Sequence, residues 1–141
     1  MSGPILLDSG PLVALLLRQD QYHEWAIEHR SQIELPLLTC EPVLTEAAFL
    51  LARARYDHTA VIEFVRRGLL KIPFHLDDEL ESILALMKRY RDVPMSLADA
   101  CLVRMAELHP GSRVFTIDSG FRRYRKNRRQ AIPLLIPDDR R

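Results

Sequence analysis

The chain has 141 residues, 48% of them hydrophobic, and a formal net charge of +1 at pH 7. This length suffices for one domain with a full hydrophobic core and is too short for two, so a single domain is predicted over residues 1–141. No apolar run approaches the length of a membrane span, and Asp8 breaks the first apolar stretch, which no basic segment precedes. We therefore expect a cytoplasmic protein without a membrane anchor or a signal peptide.

The first half of the chain alternates between predicted strands and helices. Apolar periodicity and turn residues predict a strand at 5–8, helices at 11–17 and 22–31, a strand at 37–39, and helices at 42–56 and 60–67. Pro42 suits the first turn of its helix, and Gly68 is placed to end the last of these helices.

The second half continues the alternation. It has predicted strands at 69–74, 114–117 and 134–136, and helices from 77 to about 91 and at 97–108. Asp77 and Ser96 are the predicted N-caps of these two helices. Strands that alternate with helices pair in parallel through right-handed crossovers. The predicted fold is therefore an α/β protein, a three-layer α/β/α sandwich with a central parallel sheet.

Cysteine usage agrees with a reducing compartment. The two cysteines, Cys40 and Cys101, lie in apolar surroundings, and their spacing matches no metal-binding motif. They are predicted to be buried free thiols.

Two acidic residues end predicted buried strands. Asp8 follows the apolar run at 5–7, and Asp118 follows the apolar run at 114–117. Continuous apolar runs are typical of parallel strands that are buried on both faces. Because ligands of open α/β sheets bind outside the carboxyl ends of the strands, both carboxylates are placed for chemistry.

Two further acids lie on predicted helices. On the helix at 97–108, Asp99 lies nearly opposite the polar arc that contains Arg104, so its carboxylate is predicted to point toward the interior, where an unpaired charge is costly. Glu46 borders the apolar stripe of the helix at 42–56. The acids predicted to form one site are Asp8, Glu46, Asp99 and Asp118.

Each acid also has a purely structural interpretation. Ser96 and Asp99 fit the pattern of a capping box. Asp8 and Asp118 are placed to cap the helices that follow their strands, and Glu46 can be a solvated residue beside the apolar stripe. Together these interpretations require four coincidences that bring acids to converging ends of elements, which favours the shared site.

Carboxylates without a neighbouring histidine or cysteine are hard oxygen ligands, which suit Mg²⁺ or Mn²⁺ rather than zinc. Without a cation, clustered carboxylates repel one another. A metal held in this way supports hydrolysis of a phosphodiester bond by activating water and stabilising the leaving oxygen. Asp8 and Asp99 are predicted to bind the principal ion directly. Glu46 and Asp118 are predicted to act through water or a second ion, and Glu46 also to orient the attacking water.

Four parts of the sequence carry a family pattern. They are the run at 5–12, Glu46 early in its helix, the stretch Pro-Met-Ser-Leu-Ala-Asp-Ala at 94–100, and Thr116-Ile117-Asp118 followed by Phe121. Together they resemble the PIN-domain family, and most closely its VapC-type ribonuclease toxins. The stretch at 94–100 is the most specific part, and the resemblance spans the whole chain.

The resemblance implies a single PIN domain that cleaves RNA with Mg²⁺ or Mn²⁺. It further implies a homodimer that acts as the toxin of a type II toxin–antitoxin pair and is neutralised by a cognate antitoxin protein. One departure is Gly120, where many relatives have a further acid, so the outer part of the metal site is expected to be sparser here.

The segment at 122–129 contains six basic residues in eight positions. Arg122, Arg123 and Arg125 are predicted to hold RNA phosphates beside the cut, with Tyr124 available to stack on a base. The alternative is a solvated helix whose cations favour its C-terminal end. An acidic segment of the antitoxin would use the same patch.

Other functions remain open to the sequence. One is a PIN-like scaffold that only binds a partner, against which the presence of all four acids argues. Another is a PIN nuclease of RNA maturation or decay outside any toxin–antitoxin pair, which a small upstream gene for a DNA-binding protein would exclude. A phosphatase with an aspartyl nucleophile is disfavoured, because it needs Asp-x-Asp where this chain has Asp8-Ser9-Gly10. A receiver domain is disfavoured by the lack of its paired acid and late lysine.

Overall fold

A computed structural model describes residues 3–138 of the chain. The α-helices in this range are α1 (Ser9–Leu16), α2 (His23–Arg30), α3 (Glu41–Arg53), α4 (Ala60–Arg66), α5 (Leu80–Arg89) and α6 (Leu97–Leu108). The strands are β1 (Ile5–Leu7), β2 (Leu37–Leu38), β3 (Leu70–Lys71), β4 (Arg113–Phe115), β5 (Arg125–Lys126), β6 (Gln130–Ala131) and β7 (Leu134–Leu135). Two short 3-10 turns span Leu76–Asp78 and Ser119–Arg122.

The central sheet has five parallel strands in the order β3-β2-β1-β4-β7. β1 lies in the middle and pairs with β4 along its whole length, with Leu7 opposite Phe115. On its other side β1 pairs with β2, and the Thr39 hydroxyl extends this link by donating to the Leu7 carbonyl at 2.9 Å. The predicted α/β class with a central parallel sheet is confirmed.

The side chains of β1 alternate between two hydrophobic cores, one on each face of the sheet. Leu6 joins the core formed with α5 and α6, whereas Ile5 and Leu7 join the core formed with α1, α2 and α4. α3 contributes to both cores, through Val43 to the first and Leu44 to the second. Because both faces of β1 are covered, its sequence is a continuous apolar run rather than an alternating one.

Several local predictions are confirmed. Ser96 is the N-cap of α6 and forms a capping box with Asp99. Gly68 follows the end of α4 with a φ of 81°, a conformation that glycine adopts without strain. Cys40 and Cys101 are free and fully buried.

Between residues 3 and 138, no helix is both long and apolar enough to cross a membrane.

Other predicted boundaries are wrong. Asp77 does not cap α5, because it lies inside the 3-10 turn Leu76–Asp78, and Glu79 occupies the N-cap position instead. The strand predicted at 69–74 is only two residues long, since β3 lies at the edge of the sheet and its partner β2 is equally short. The strand predicted at 114–117 ends at Phe115; the Thr116 backbone N–H still donates to the Leu135 carbonyl at 3.0 Å, and the chain bends at Ile117.

The basic segment is not a helix. After the turn Ser119–Arg122, β5 pairs antiparallel with β6 to form a small hairpin. At its tip, Asn127 and Arg128 have φ values of 49° and 73°, which a right-handed helix does not allow. The Asn127 backbone N–H donates to Glu107 at 2.8 Å and ties the tip to the end of α6.

Candidate active site

The four predicted acids line one cleft beyond the carboxyl ends of β1 and β4. The cleft has a volume of about 440 Å³. Its lining residues are Asp8, Ser9, Gly10, Glu46, Pro94, Ser96, Asp99, Ile117 and Asp118. Residues that are far apart in the sequence therefore lie on one cleft, two from strand ends and two from helices.

Asp8 is buried and is held by two hydrogen bonds. It is the N-cap of α1, and the Ser9 backbone N–H donates to its Oδ1 at 2.8 Å. The Thr116 hydroxyl donates to its Oδ2 at 2.7 Å. Burial raises the pKa of Asp8 from 3.8 to about 6, the two hydrogen bonds act against this rise, and the nearby carboxylates of Asp99 and Glu46 add to it.

Asp99 is both a helix cap and a lining residue of the cleft. Its Oδ2 accepts from the Ser96 backbone N–H at 3.2 Å and from the Tyr124 hydroxyl at 3.0 Å. Burial raises the pKa of Asp99, these hydrogen bonds lower it, and the Asp118 carboxylate raises it. The capping interpretation and the placement of Asp99 in the cleft therefore both hold.

The other two acids are more accessible. Glu46 is half-buried, and its Oε1 accepts from the Ser9 hydroxyl at 2.9 Å. Asp118 is exposed, and its Oδ1 accepts from the Gly120 backbone N–H at 2.8 Å, so it caps the turn that follows. The cleft thus has a buried inner side with Asp8 and an open outer side with Asp118.

The family model for the PIN domain matches residues 5–127. The chain belongs to the PIN-domain family. No curated protein sequence matches it significantly. Among solved structures, it resembles Mycobacterium tuberculosis VapC20, described as a sarcin–ricin loop cleaving toxin, with a TM-score of 0.70 and 22% sequence identity. The match covers 82% of this chain and 90% of that one, and at this identity it supports the fold.

Two hydroxyl residues of this PIN domain, Thr116 and Ser9, hold acids of the cleft, a role that the sequence alone did not assign to them. The Thr116 hydroxyl donates to Asp8 and accepts from the Asp118 backbone N–H at 3.0 Å, so it links the acids that follow two neighbouring strands. Ser9 contacts Asp8 through its backbone N–H and Glu46 through its hydroxyl. In the sequence, both residues are hydroxyl residues within two positions of an acid that follows a strand. This proximity was the signal that could have identified them.

The basic segment lies outside the cleft lining. Arg122 and Arg123 are exposed, and the Arg122 guanidinium donates to the Pro137 carbonyl at 3.5 Å. The guanidinium of Arg125 donates to the backbone carbonyls of Arg122 and Tyr124 at 2.8 and 3.0 Å. Tyr124 is not available to stack on a base, because it is only 1% exposed and its hydroxyl is bound to Asp99. That part of the sequence prediction is wrong.

The donor set fits a hard divalent cation. Across residues 3–138, no group of three Asp, Glu, His or Cys side chains is placed to bind one metal ion together. Mg²⁺, however, commonly keeps several waters and takes only one or two carboxylates from the protein. The buried carboxylate of Asp8, with other acids near it, is an environment that a cation would stabilise.

The raised pKa of Asp8 predicts a pH-dependent stability of the metal-free domain. Because the folded pKa of about 6 lies above the ordinary 3.8, folding favours the protonated carboxyl. This stabilisation is complete below pH 3.8 and is lost as the pH rises through 6. At about 1.4 kcal/mol per pH unit between the two pKa values, the loss from this group is about 3 kcal/mol.

Urea unfolding in EDTA between about pH 4 and pH 8 checks this prediction. The Asp8→Asn variant should lose less stability than the parent as the pH rises. Asp57→Asn is a matched control, because Asp57 is exposed and lies outside the cleft. An equal fall in the parent and in Asp8→Asn would contradict the prediction.

Proposed function

We propose that this PIN domain is a Mg²⁺- or Mn²⁺-dependent endoribonuclease and the toxin of a type II toxin–antitoxin pair. The observation that carries the proposal is the single cleft beyond the ends of the paired strands β1 and β4, which four carboxylates line, two from strand ends and two from helices. Membership of the PIN family supports nuclease chemistry. The likeness to a solved structure described as a sarcin–ricin loop cleaving toxin supports RNA as the substrate and toxicity as the role.

Asp8 and Asp99 are the proposed direct ligands of the cation. Both are buried, and the pKa of each is raised by burial, so a positive charge beside them relieves an unfavourable environment. Asp118 and Glu46 lie on the more accessible sides of the cleft and are proposed to act through water or a second ion.

When bound, the cation supplies charge stabilisation to the scissile phosphate and to the leaving oxygen. Glu46 is the proposed residue for orienting the attacking water. The Ser9 hydroxyl occupies its Oε1, and no hydrogen bond to Oε2 is formed within the described range, so this oxygen is available to a water in the cleft.

Arg122, Arg123 and Arg125 are proposed to bind RNA backbone phosphates. Arg122 is the last residue of the turn that Asp118 caps, and Arg123 follows it; both are exposed, so they can reach a strand that enters the cleft from this side. Arg125 is tied to backbone carbonyls and is expected to contribute mainly charge. Electrostatic contacts of this kind bind RNA without regard to its sequence.

We further propose a homodimer that binds a cognate antitoxin. α3 carries Phe49 and Leu50, which are 60% and 40% exposed and offer an apolar surface for a second copy. The apolar face of α1 is unsuited to this role, because Leu12, Val13 and Ala14 are buried in the core. An acidic antitoxin segment would compete with RNA for the arginines.

The first test of the proposal is cleavage. The purified chain should cleave single-stranded RNA with Mg²⁺ or Mn²⁺ and stop when EDTA is added. Asp99→Asn should lower the cleavage rate by more than about 100-fold, beyond the usual effect of residues that only support a metal ligand. Its melting temperature in EDTA should equal or exceed that of the parent, because a repelling charge is removed.

Asp57→Asn serves again as the control variant outside the cleft and should retain full activity. Cleavage that continues undiminished in EDTA would refute the metal mechanism. Unfolding of Asp99→Asn would instead show that its capping role dominates.

The second test is toxicity in a bacterial host. Expression of the parent should arrest growth, and expression of Asp8→Asn at the same level should not, because the cleft then lacks a metal ligand. Growth curves and immunoblots provide the measurement. An active nuclease whose expression is harmless would favour a role in RNA maturation or decay.

The third test concerns the arginines. In the Asp99→Asn background, replacing Arg122, Arg123 and Arg125 with Gln should weaken RNA binding for all sequences. The slope of log K against log salt should become shallower by about 0.7 for each phosphate that the protein no longer neutralises. Fluorescence anisotropy at several salt concentrations measures both quantities.

Replacing Arg66 and Arg67, at the C-terminal end of α4, with Gln is the control, since these exposed arginines lie away from the cleft. This control should keep the salt slope of the parent. An unchanged slope in the triple variant, with antitoxin binding abolished, would assign the segment to the protein partner.

A further inference from the structure

Tyr124 contacts the Asp99 carboxylate without lining the cleft. Its hydroxyl donates to Asp99 Oδ2 at 3.0 Å, and the cleft is lined by Asp99 but not, within the described range, by Tyr124. We propose that Tyr124 is a positioning residue that holds one oxygen of Asp99 and leaves the other for the metal. This inference rests on the proposed metal-dependent function.

The two oxygens of Asp99 have different environments. Oδ2 accepts both the Ser96 backbone N–H and the Tyr124 hydroxyl, and neither of these two bonds involves Oδ1. Two donors on one oxygen restrict rotation of the carboxylate about its last bond. The orientation is then fixed when the protein folds, so metal binding does not have to supply the cost of ordering it.

The ring of Tyr124 is itself fixed by aromatic neighbours. Tyr90 packs against it edge to face at a centroid distance of 5.2 Å, and Phe121 does the same at 5.1 Å. The Tyr90 hydroxyl accepts a hydrogen bond from the Arg125 backbone N–H at 3.0 Å. This bond also holds the backbone of the residue that follows Tyr124. Since edge-to-face pairs favour a defined ring orientation, the core determines where the hydroxyl lies.

The hydroxyl can serve only as a donor toward Asp99. An ionised carboxylate has no proton to donate, so in this contact the phenol O–H is the donor and Asp99 is the acceptor. A merely structural role would require only that a buried hydroxyl find an acceptor. The two roles differ in one measurable quantity, the affinity of the domain for the cation.

Tyr124→Phe tests the inference, because it keeps the ring and removes the hydroxyl. Titration calorimetry of the full chain with Mn²⁺ alone should show an affinity about 10- to 100-fold weaker than that of the parent, the range expected when a partner of a metal ligand is removed. In cleavage assays, the Mn²⁺ concentration for half-maximal activity should rise by a similar factor, with the KM for RNA unchanged.

Tyr90→Phe is the matched control. It removes a hydroxyl from the same aromatic cluster, but one that contacts a backbone N–H rather than a cleft acid. Its Mn²⁺ affinity should stay within about twofold of the parent, since no partner of a metal ligand is removed. In the Asp99→Asn background, Tyr124→Phe should have no further effect on Mn²⁺ affinity, because the oxygen it positions no longer belongs to a carboxylate.

Parental Mn²⁺ affinity in Tyr124→Phe would overturn the inference while leaving the proposed function intact. An equal loss of affinity in Tyr90→Phe and Tyr124→Phe would also overturn it, since the effect would then come from ring packing. Absence of Mn²⁺ binding by the parent would overturn the proposed metal dependence and the inference with it. A loss of affinity confined to Tyr124→Phe supports the inference.

Discussion

The parallel register between β1 and β4 determines where the acids meet. With Leu7 opposite Phe115, the residues that follow the two strands are also neighbours, and the Thr116 hydroxyl reaches Asp8 at 2.7 Å. A shift of one residue in this register would turn the side chains of one strand to the opposite face and separate these groups. The two hydrophobic cores on either side of β1 oppose such a shift, so core packing and cleft geometry depend on the same strand pair.

Local backbone geometry then places the individual carboxylates. Asp8, Asp99 and Asp118 each accept a hydrogen bond from a backbone N–H within three residues, as caps of the helical turns beside them. These bonds hold acids near one another although their charges repel. Capping and site formation are therefore not rival explanations for these residues. The structural role is the means by which each acid is held in the cleft.

Features that depend on residues close together in the sequence could be predicted, whereas features that depend on contacts between distant segments could not. Strand and helix periods are local, so the class, the order of the main elements and the convergence of the acids could be inferred from the sequence. The environment of Tyr124 could not be inferred from the sequence, because a tyrosine with arginines on both sides is typical of a solvated segment. Its burial depends on packing against Tyr90, which is distant in the sequence. The hairpin was missed for a similar reason, since Glu107 of α6 holds its tip through a contact between separate segments.

The double role of Asp99 restricts how this domain can evolve. An apolar residue at this position would remove a negative charge from the cleft but would also deprive the Ser96 backbone N–H of its acceptor. Asn keeps one side-chain oxygen for that N–H, removes the charge and replaces the other oxygen by an amide NH₂ group. A descendant that drifts away from nuclease chemistry is therefore expected to pass through a neutral amide at this position. It would inherit an intact, less acidic cleft that selection can adapt to another ligand.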